Sequence, residues 1–167
     1  MLPDDLLMNV ETPARYIDHE WNACRKRHAE VRLRIALCYP DAYQVGMDHL
    51  GLLILYHLAN ELPGVSAERC FAPWPDAAEE MRRRGWPLAT LETGTPLAEC
   101  DLVGFTLQYE LTYPTILEML RLGRVPVRAA ERSGAAPIVI AGGPGATNPE
   151  PLAPFIDLFC VGDGEEL

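Results

Sequence analysis

Positive charge is what this chain has least of. Its 14 lysines and arginines stand against 24 aspartates and glutamates, a formal net charge of −10. Binding to nucleic acid needs clustered cations that displace counterions from phosphates, so no nucleic-acid partner is evident from this segment. The one dense basic run, Arg82-Arg83-Arg84, falls in the last turn of an expected helix, where cations complement the helix dipole. Metal-ligand spacing is also missing. The five cysteines, at 24, 38, 70, 100 and 160, stand far apart, which argues against zinc or iron–sulfur ligation by this chain. An odd cysteine count without a secretory leader points to free thiols in a reducing compartment. The apolar stretch at 50–55 is interrupted by His57, Asn60 and Glu61, well short of a membrane span. A cytoplasmic chain with no membrane partner is the expectation.

What is present suits an ordinary globular domain. The 167 residues are 49% hydrophobic and 23% charged, enough to bury roughly 70% of the unfolded surface without disulfide or metal support. Residues 1–30 are polar and irregular, and read as a leader that packs on the domain or on a neighbour. After Glu30 the texture changes, and residues 31–167 read as one domain. Residues 31–38 alternate and then become continuously apolar, as a strand covered on both faces would.

A helix is expected over 48–62, with Asp48 as N-cap and Pro63-Gly64 as the stop. The alternation of element types then repeats. A short strand at 67–71 precedes a helix opened by Asp76-Ala77-Ala78-Glu79, with capping-box spacing, and closed by Gly85. Residues 87–91 read as a weak strand and 101–107 as a strong one. Thr112 and Pro114 open another helix, and strands follow at 137–141 and 157–161. Strands alternating with helices argue for parallel pairing through right-handed crossovers. The expected fold is a doubly wound, flavodoxin-like or Rossmann-like α/β sandwich of five or six strands.

Ligands bind such sheets beyond the carboxyl ends of the strands, where strand order reverses. Four loops qualify: Tyr39 to Met47, Gln108-Tyr109-Glu110, Gly142 to Asn148, and Gly162-Asp163-Gly164-Glu165. Gly142-Gly143-Pro144-Gly145 lets backbone approach a ligand closely, yet equally suits a tight turn. It lacks the G-x-G-x-x-G spacing of a dinucleotide site, so a nucleotide-binding reading ranks last. Gly46 and Gly51 serve close helix–strand packing more readily than ligand access. Asp41, His49 and Glu110 offer acid–base groups, though a carboxylate near a helix start is more often a cap, and His49 in a first turn more often a surface or hydrogen-bonded histidine. Tyr39, Tyr43 and Tyr109 form an aromatic rim that suits a planar ligand or a half-buried core edge. No serine–histidine–acid or cysteine–histidine set has suitable spacing, and catalysis by this segment alone is not expected.

Five blocks carry a resemblance. They are Tyr39-Pro40-Asp41-Ala42-Tyr43-Gln44-Val45-Gly46-Met47 with Leu50-Gly51; Glu68-Arg69-Cys70-Phe71-Ala72-Pro73-Trp74; Gly104-Phe105-Thr106-Leu107-Gln108-Tyr109-Glu110-Leu111; Gly142-Gly143-Pro144-Gly145-Ala146-Thr147-Asn148-Pro149-Glu150-Pro151; and Gly162-Asp163-Gly164-Glu165-Glu166. In this order they resemble a family of radical SAM proteins whose amino-terminal half is a cobalamin-binding-type domain, from about Pro13 to the last residue. The resemblance implies a sheet that presents its strand ends to a corrinoid. It also implies a downstream barrel domain as partner, whose CxxxCxxC motif holds the iron–sulfur cluster that cleaves S-adenosylmethionine. This chain is then the amino-terminal domain of a longer protein.

The D-x-H-x-x-G motif that supplies histidine to cobalt is absent, because Asp48 and His49 are adjacent. Any cobalamin is therefore expected without a histidine ligand. The residues expected to meet a cofactor are Asp41, Tyr43, Gly46, Met47, Thr106, Gln108, Tyr109, Gly142, Gly143 and Asn148. The competing expectation is a non-catalytic interaction module that docks the catalytic domain or a partner and binds no cofactor.

Overall fold

The structure is a computed structural model that describes residues 4–18 and 20–164. Glu165 and Glu166, the end of the last sequence block, lie outside the described residues. Five strands, β1 (Leu33–Tyr39), β2 (Val65–Phe71), β3 (Leu102–Thr106), β4 (Ile138–Gly142) and β5 (Leu158–Phe159), form one sheet in the order β2-β1-β3-β4-β5. Every pairing is parallel. The helices are α1 (Asp4–Leu7), α2 (Tyr43–Gly46), α3 (Leu50–Glu61), α4 (Pro75–Arg84) and α5 (Tyr113–Leu122). This is the flavodoxin-like doubly wound order, and its direction of winding reverses between β1 and β3.

Side-chain alternation decides what each face meets. Ala36, Cys38, Val103, Phe105, Val139 and Ala141 point to one face and are buried against Leu6 of α1, Met81 of α4, and Ile116, Met119 and Leu120 of α5. On the other face α3 covers β1 and β2, with Leu52 packed among Leu37, Tyr39 and Phe71. Fully burying each such aliphatic or aromatic side chain contributes about 1.5–3 kcal/mol.

Several local expectations need correction. Residues 87–91 do not form a strand. Ala89 makes only an isolated antiparallel bridge to Pro96, because this segment's amides go to different partners: Leu88 N to Leu122 O, and Leu91 N to Arg69 O. The first long helix begins at Leu50, not Asp48, since the chain first makes the single turn α2. Its cap is His49, whose Nδ1 accepts from the Leu52 amide at 3.1 Å. Asp76 does not cap α4. It lies inside the helix, where Oδ2 accepts from the Glu11 amide at 2.8 Å. Thr112 precedes α5, but its hydroxyl donates to Tyr109 O at 2.7 Å instead of capping. Gly85 closes α4 as expected, with a left-handed φ of 69°.

β2 lies at one end of the strand order, yet six of its seven residues are buried. The leader and the 87–96 segment supply the cover. Arg69, 2% exposed, donates from Nε to Glu92 Oε1 at 2.6 Å and pairs with Glu20 of the leader. Its guanidinium stacks on the Tyr56 ring at 4.9 Å. Burial lowers the Arg69 pKa, but the facing Glu92 and Glu20 carboxylates outweigh it and leave the value raised. On the opposite face of β2, Glu68 pairs with Arg34 and accepts from Thr90 at 2.6 Å and Thr93 at 2.5 Å. The leader is tied further along by Lys26, whose ammonium donates to Asn60 O at 2.6 Å, and by the Cys24 amide on Tyr56 Oη at 2.6 Å.

Candidate functional site

Parallel pairing puts the carboxyl ends of all five strands along one rim, and hydrogen bonds join the segments beyond them. After β2, the Ala72 amide donates to Asp41 O at 2.9 Å. Asp41, which follows β1, accepts at Oδ2 from Tyr109 Oη, which follows β3, at 3.3 Å. The β3 and β4 loops lock through Leu107 N to Gly142 O at 2.7 Å and Gly145 N to Leu107 O at 2.9 Å. The Cys160 amide donates to Ala141 O at 2.8 Å and brings the chain after β5 beside them. The segments that follow the five strands thus form a continuous lip.

A cleft of about 190 Å³ opens in this lip. Asp41 and Ala42 supply its wall from β1, Pro73 and Trp74 from β2, and Tyr109, Leu111 and Thr115 from the segment after β3. It straddles the β1/β3 switch point, and Thr115 of α5 forms part of its wall. Asp41 is the carboxylate of the cleft, and its negative charge raises the pKa of Tyr109, with a smaller rise from desolvation. Tyr39, below it, is raised mainly by burial and then by Asp41. Both phenols are therefore hydrogen-bond donors at neutral pH. Trp74, 42% exposed, is flanked by the Arg15 guanidinium 4.5 Å from its ring centroid, and its amide binds Tyr16 Oη at 3.0 Å. The arrangement offers aromatic faces, one carboxylate and exposed backbone, which suits binding and orientation of a ligand.

The residues expected from sequence distribute unevenly over this lip. Asp41 and Tyr109 meet directly. Thr106 and Gln108 form a second pair, with Gln108 Nε2 donating to Thr106 Oγ1 at 2.7 Å. Gly143, with φ of 94°, sits over Thr106, and a Cβ there would lie 3.3 Å from Thr106 Oγ1 and 3.1 Å from Leu107 O. Gly142 is half-buried beside Cys160, and Asn148 is exposed at the end of the loop. Three others serve packing around β1 and β2. Tyr43 donates to Glu20 Oε1 at 2.6 Å and sets its ring edge-on to Phe71. Gly46 is buried, and a Cβ there would come within 2.7 Å of both Tyr39 and Phe71. Met47 packs into the Tyr39–Leu52–Phe71 cluster.

Sequence reasoning missed Trp74 and Leu111 as walls of the cleft, although both stand in the quoted blocks. The usable signal was position: each is the exposed apolar residue shortly after a strand.

Among the described residues no group of three or more His, Cys, Asp or Glu side chains is placed to hold a metal ion. The five cysteines are free. Cys38 and Cys70 face each other in register, and burial first, then the neighbouring thiol, pushes Cys38 well above the usual thiol range. His49, the histidine nearest the lip in sequence, has its Nδ1 engaged as the α3 cap. No helix of the described residues is long and apolar enough to cross a membrane.

No curated protein matches the chain. A family does: residues 51–167 match the amino-terminal domain of radical SAM proteins. That match runs from α3 to the end of the chain and takes in the cleft walls that follow β2 and β3 but not Asp41, and the chain belongs to the family of radical SAM protein amino-terminal domains.

Proposed function

We propose that this domain presents a cofactor or substrate, held on the lip, to a radical SAM catalytic domain that follows in the same chain. The observation that carries the reading is the cleft at the β1/β3 switch point, with Asp41 and Tyr109 hydrogen-bonded across it. Asp41 orients a donor on the ligand, Tyr109 and Trp74 cover its flat or apolar part, and Thr106, Gln108, Gly142, Gly143 and Asn148 extend the lip toward β4. Tyr43, Gly46 and Met47 act from behind by fixing the loop that carries Asp41. The radical chemistry itself, cleavage of S-adenosylmethionine at an iron–sulfur cluster, belongs to the catalytic domain.

A corrinoid fits this lip in one respect only. Gly142 and Gly143 keep the edge over β3 and β4 low, as a flat ring would need. Gly143, however, already lies close against Leu107 and Thr106. The imidazole nearest in sequence, His49, is engaged through Nδ1 as a helix cap. Cobalamin bound without a histidine ligand is thus one version of the proposal. Its test is to add hydroxocobalamin to the full-length protein, desalt, and record the visible spectrum. Retained corrinoid bands support it, and a colourless protein removes cobalamin while leaving the general reading in place. The general reading is tested on the gene: absence of CxxxCxxC from the catalytic domain's sequence would overturn it.

A second reading, a docking module without a ligand, is favoured by the apolar face described next. Alanine at Asp41, Gln108 and Tyr109 separates the two: turnover of the full-length enzyme is unchanged if the domain only docks.

A further inference from the structure

Among the described residues, the sheet is sealed on one face and open on the other. Strands of an all-parallel sheet are normally covered on both faces, since each crossover brings a helix. Here α1, α4 and α5 pack on the same face, and α3 covers only β1 and β2 on the other. Beyond α3 the second face is apolar, and none of the described residues covers it. Leu102 is half-buried, Ile140 is half-buried, and Ile138 and Leu158 are 51% and 59% exposed. Register places Leu102 beside Ile138, and Ile140 beside Leu158, so these side chains form one surface.

The adjoining flank of α3 continues it. Leu55 is half-buried, and Leu58, one turn on, is 42% exposed. Asn60, on the opposite flank, is instead bonded to Ala67 at 2.9 Å. A helix that is apolar nearly all round needs partners on more than one side.

The path of the chain says what covers this face. After β5, Gly162 turns the backbone with φ of 130°, and Gly164 then rests against α3, where a Cβ would lie 3.2 Å from Leu55 Cδ2. The polypeptide thus leaves the sheet's far edge, recrosses the lip, and is delivered to the open end of the groove between α3 and β4. A helix following there would run antiparallel to the strands, as helices in βα units do.

We propose that the polypeptide immediately following this domain lays an amphipathic helix into that groove, with its aliphatic side on Leu58, Leu102, Ile138 and Ile140. This completes the sandwich and makes the helix the joint that fixes the catalytic domain over the lip. The inference rests on the reading above that a catalytic domain follows in the same chain.

The test uses the full-length protein with a photo-crosslinking amino acid at Leu58 or Ile138, and at Trp21, 102% exposed, as the control. Cross-linked peptides from the stretch directly after residue 167 are expected from the first two positions and not from the third. Cysteines at Leu58 and Ile138 should alkylate at least about tenfold more slowly than one at Trp21. Cross-links joining two copies, or alkylation as fast as at Trp21, would overturn the proposal. Iron and sulfide analysis of the same preparation keeps the two readings apart. A cluster-bearing protein without the helix contact sinks the docking alone, whereas the contact in a protein without a cluster sinks the catalytic reading.

Discussion

Tyr109 Oη and Asp41 Oδ2 meet at 3.3 Å across the point where the sheet reverses its winding. The bond joins the loop after β1 to the loop after β3, 68 residues apart in sequence. Because Tyr109 is exposed, the contact contributes little to folding; on the proposed function, its consequence is for the ligand in the cleft. If the cleft presents a ligand as proposed, Tyr109→Ala should leave the urea midpoint nearly unchanged, yet lower turnover of the full-length protein about tenfold through lost stacking and a lost donor. Tyr109→Phe should keep the stacking and lose less. Urea titration and turnover assays on the same preparations check both.

The buried charges on β2 predict the opposite balance. Removing Glu92 leaves Arg69 buried without its fully buried carboxylate partner, and Glu92→Ala should cost about 3–5 kcal/mol. Glu80 offers the contrast. Hydrogen bonds from Arg83 and then Arg84 hold its carboxyl down to about 2, but water screens these pairs, and Glu80→Ala should move the denaturant midpoint far less than Glu92→Ala does. Denaturant midpoints of the two variants should separate widely.

Alkaline pH should loosen the leader. Burial, and the bond to Glu20, push Tyr43 up to about 12 from its ordinary value of 10. The folded state thus binds this proton more tightly than the unfolded state does. The associated stability is complete below pH 10 and is lost as pH rises to about 12. Melting temperature should fall across that window, and Tyr43→Phe, which has no proton to lose, should make the fall shallower.

Two glycines near α3 should respond differently to alanine. At Gly46 a Cβ meets two aromatic rings at 2.7 Å, and overpacking should cost about 1–3 kcal/mol. At Gly51 the nearest obstacle is His49 Cε1 at 3.1 Å, the end of a side chain that can shift. There the gain in helix propensity, about 1 kcal/mol, offsets the disturbance. Thermal melts of Gly46→Ala and Gly51→Ala test the contrast.

Much of the architecture was legible because β1, β3 and β4 are short continuous apolar runs separated by amphipathic stretches, and that pattern has few alternatives to a parallel sheet. Local signals misled where tertiary partners competed. Asp48 has a good capping side chain, but the turn at Tyr43–Gly46 displaced the helix start by two residues and His49 took the role. Residues 87–91 have strand character, yet each amide answers a different neighbour. The fate of the leader was beyond sequence reading, because nothing in Glu20 or Arg69 taken singly says that they pair. The cleft was half legible. The switch-point rule selects Asp41 and Tyr109, whereas Trp74 joins them only because β2 lies next to β1, and strand order is not written in local pattern.

The cover over β2 limits how molecules of this protein can meet. The Arg69 amide and carbonyl, on the strand's outer side, are already taken by Glu92 Oε2 at 2.7 Å and the Leu91 amide at 2.7 Å. At the far side β5 is only two residues long. Neither margin can template an added strand, a hazard that exposed sheet edges otherwise carry. Growth of the sheet into ribbons or fibrils is blocked at both ends.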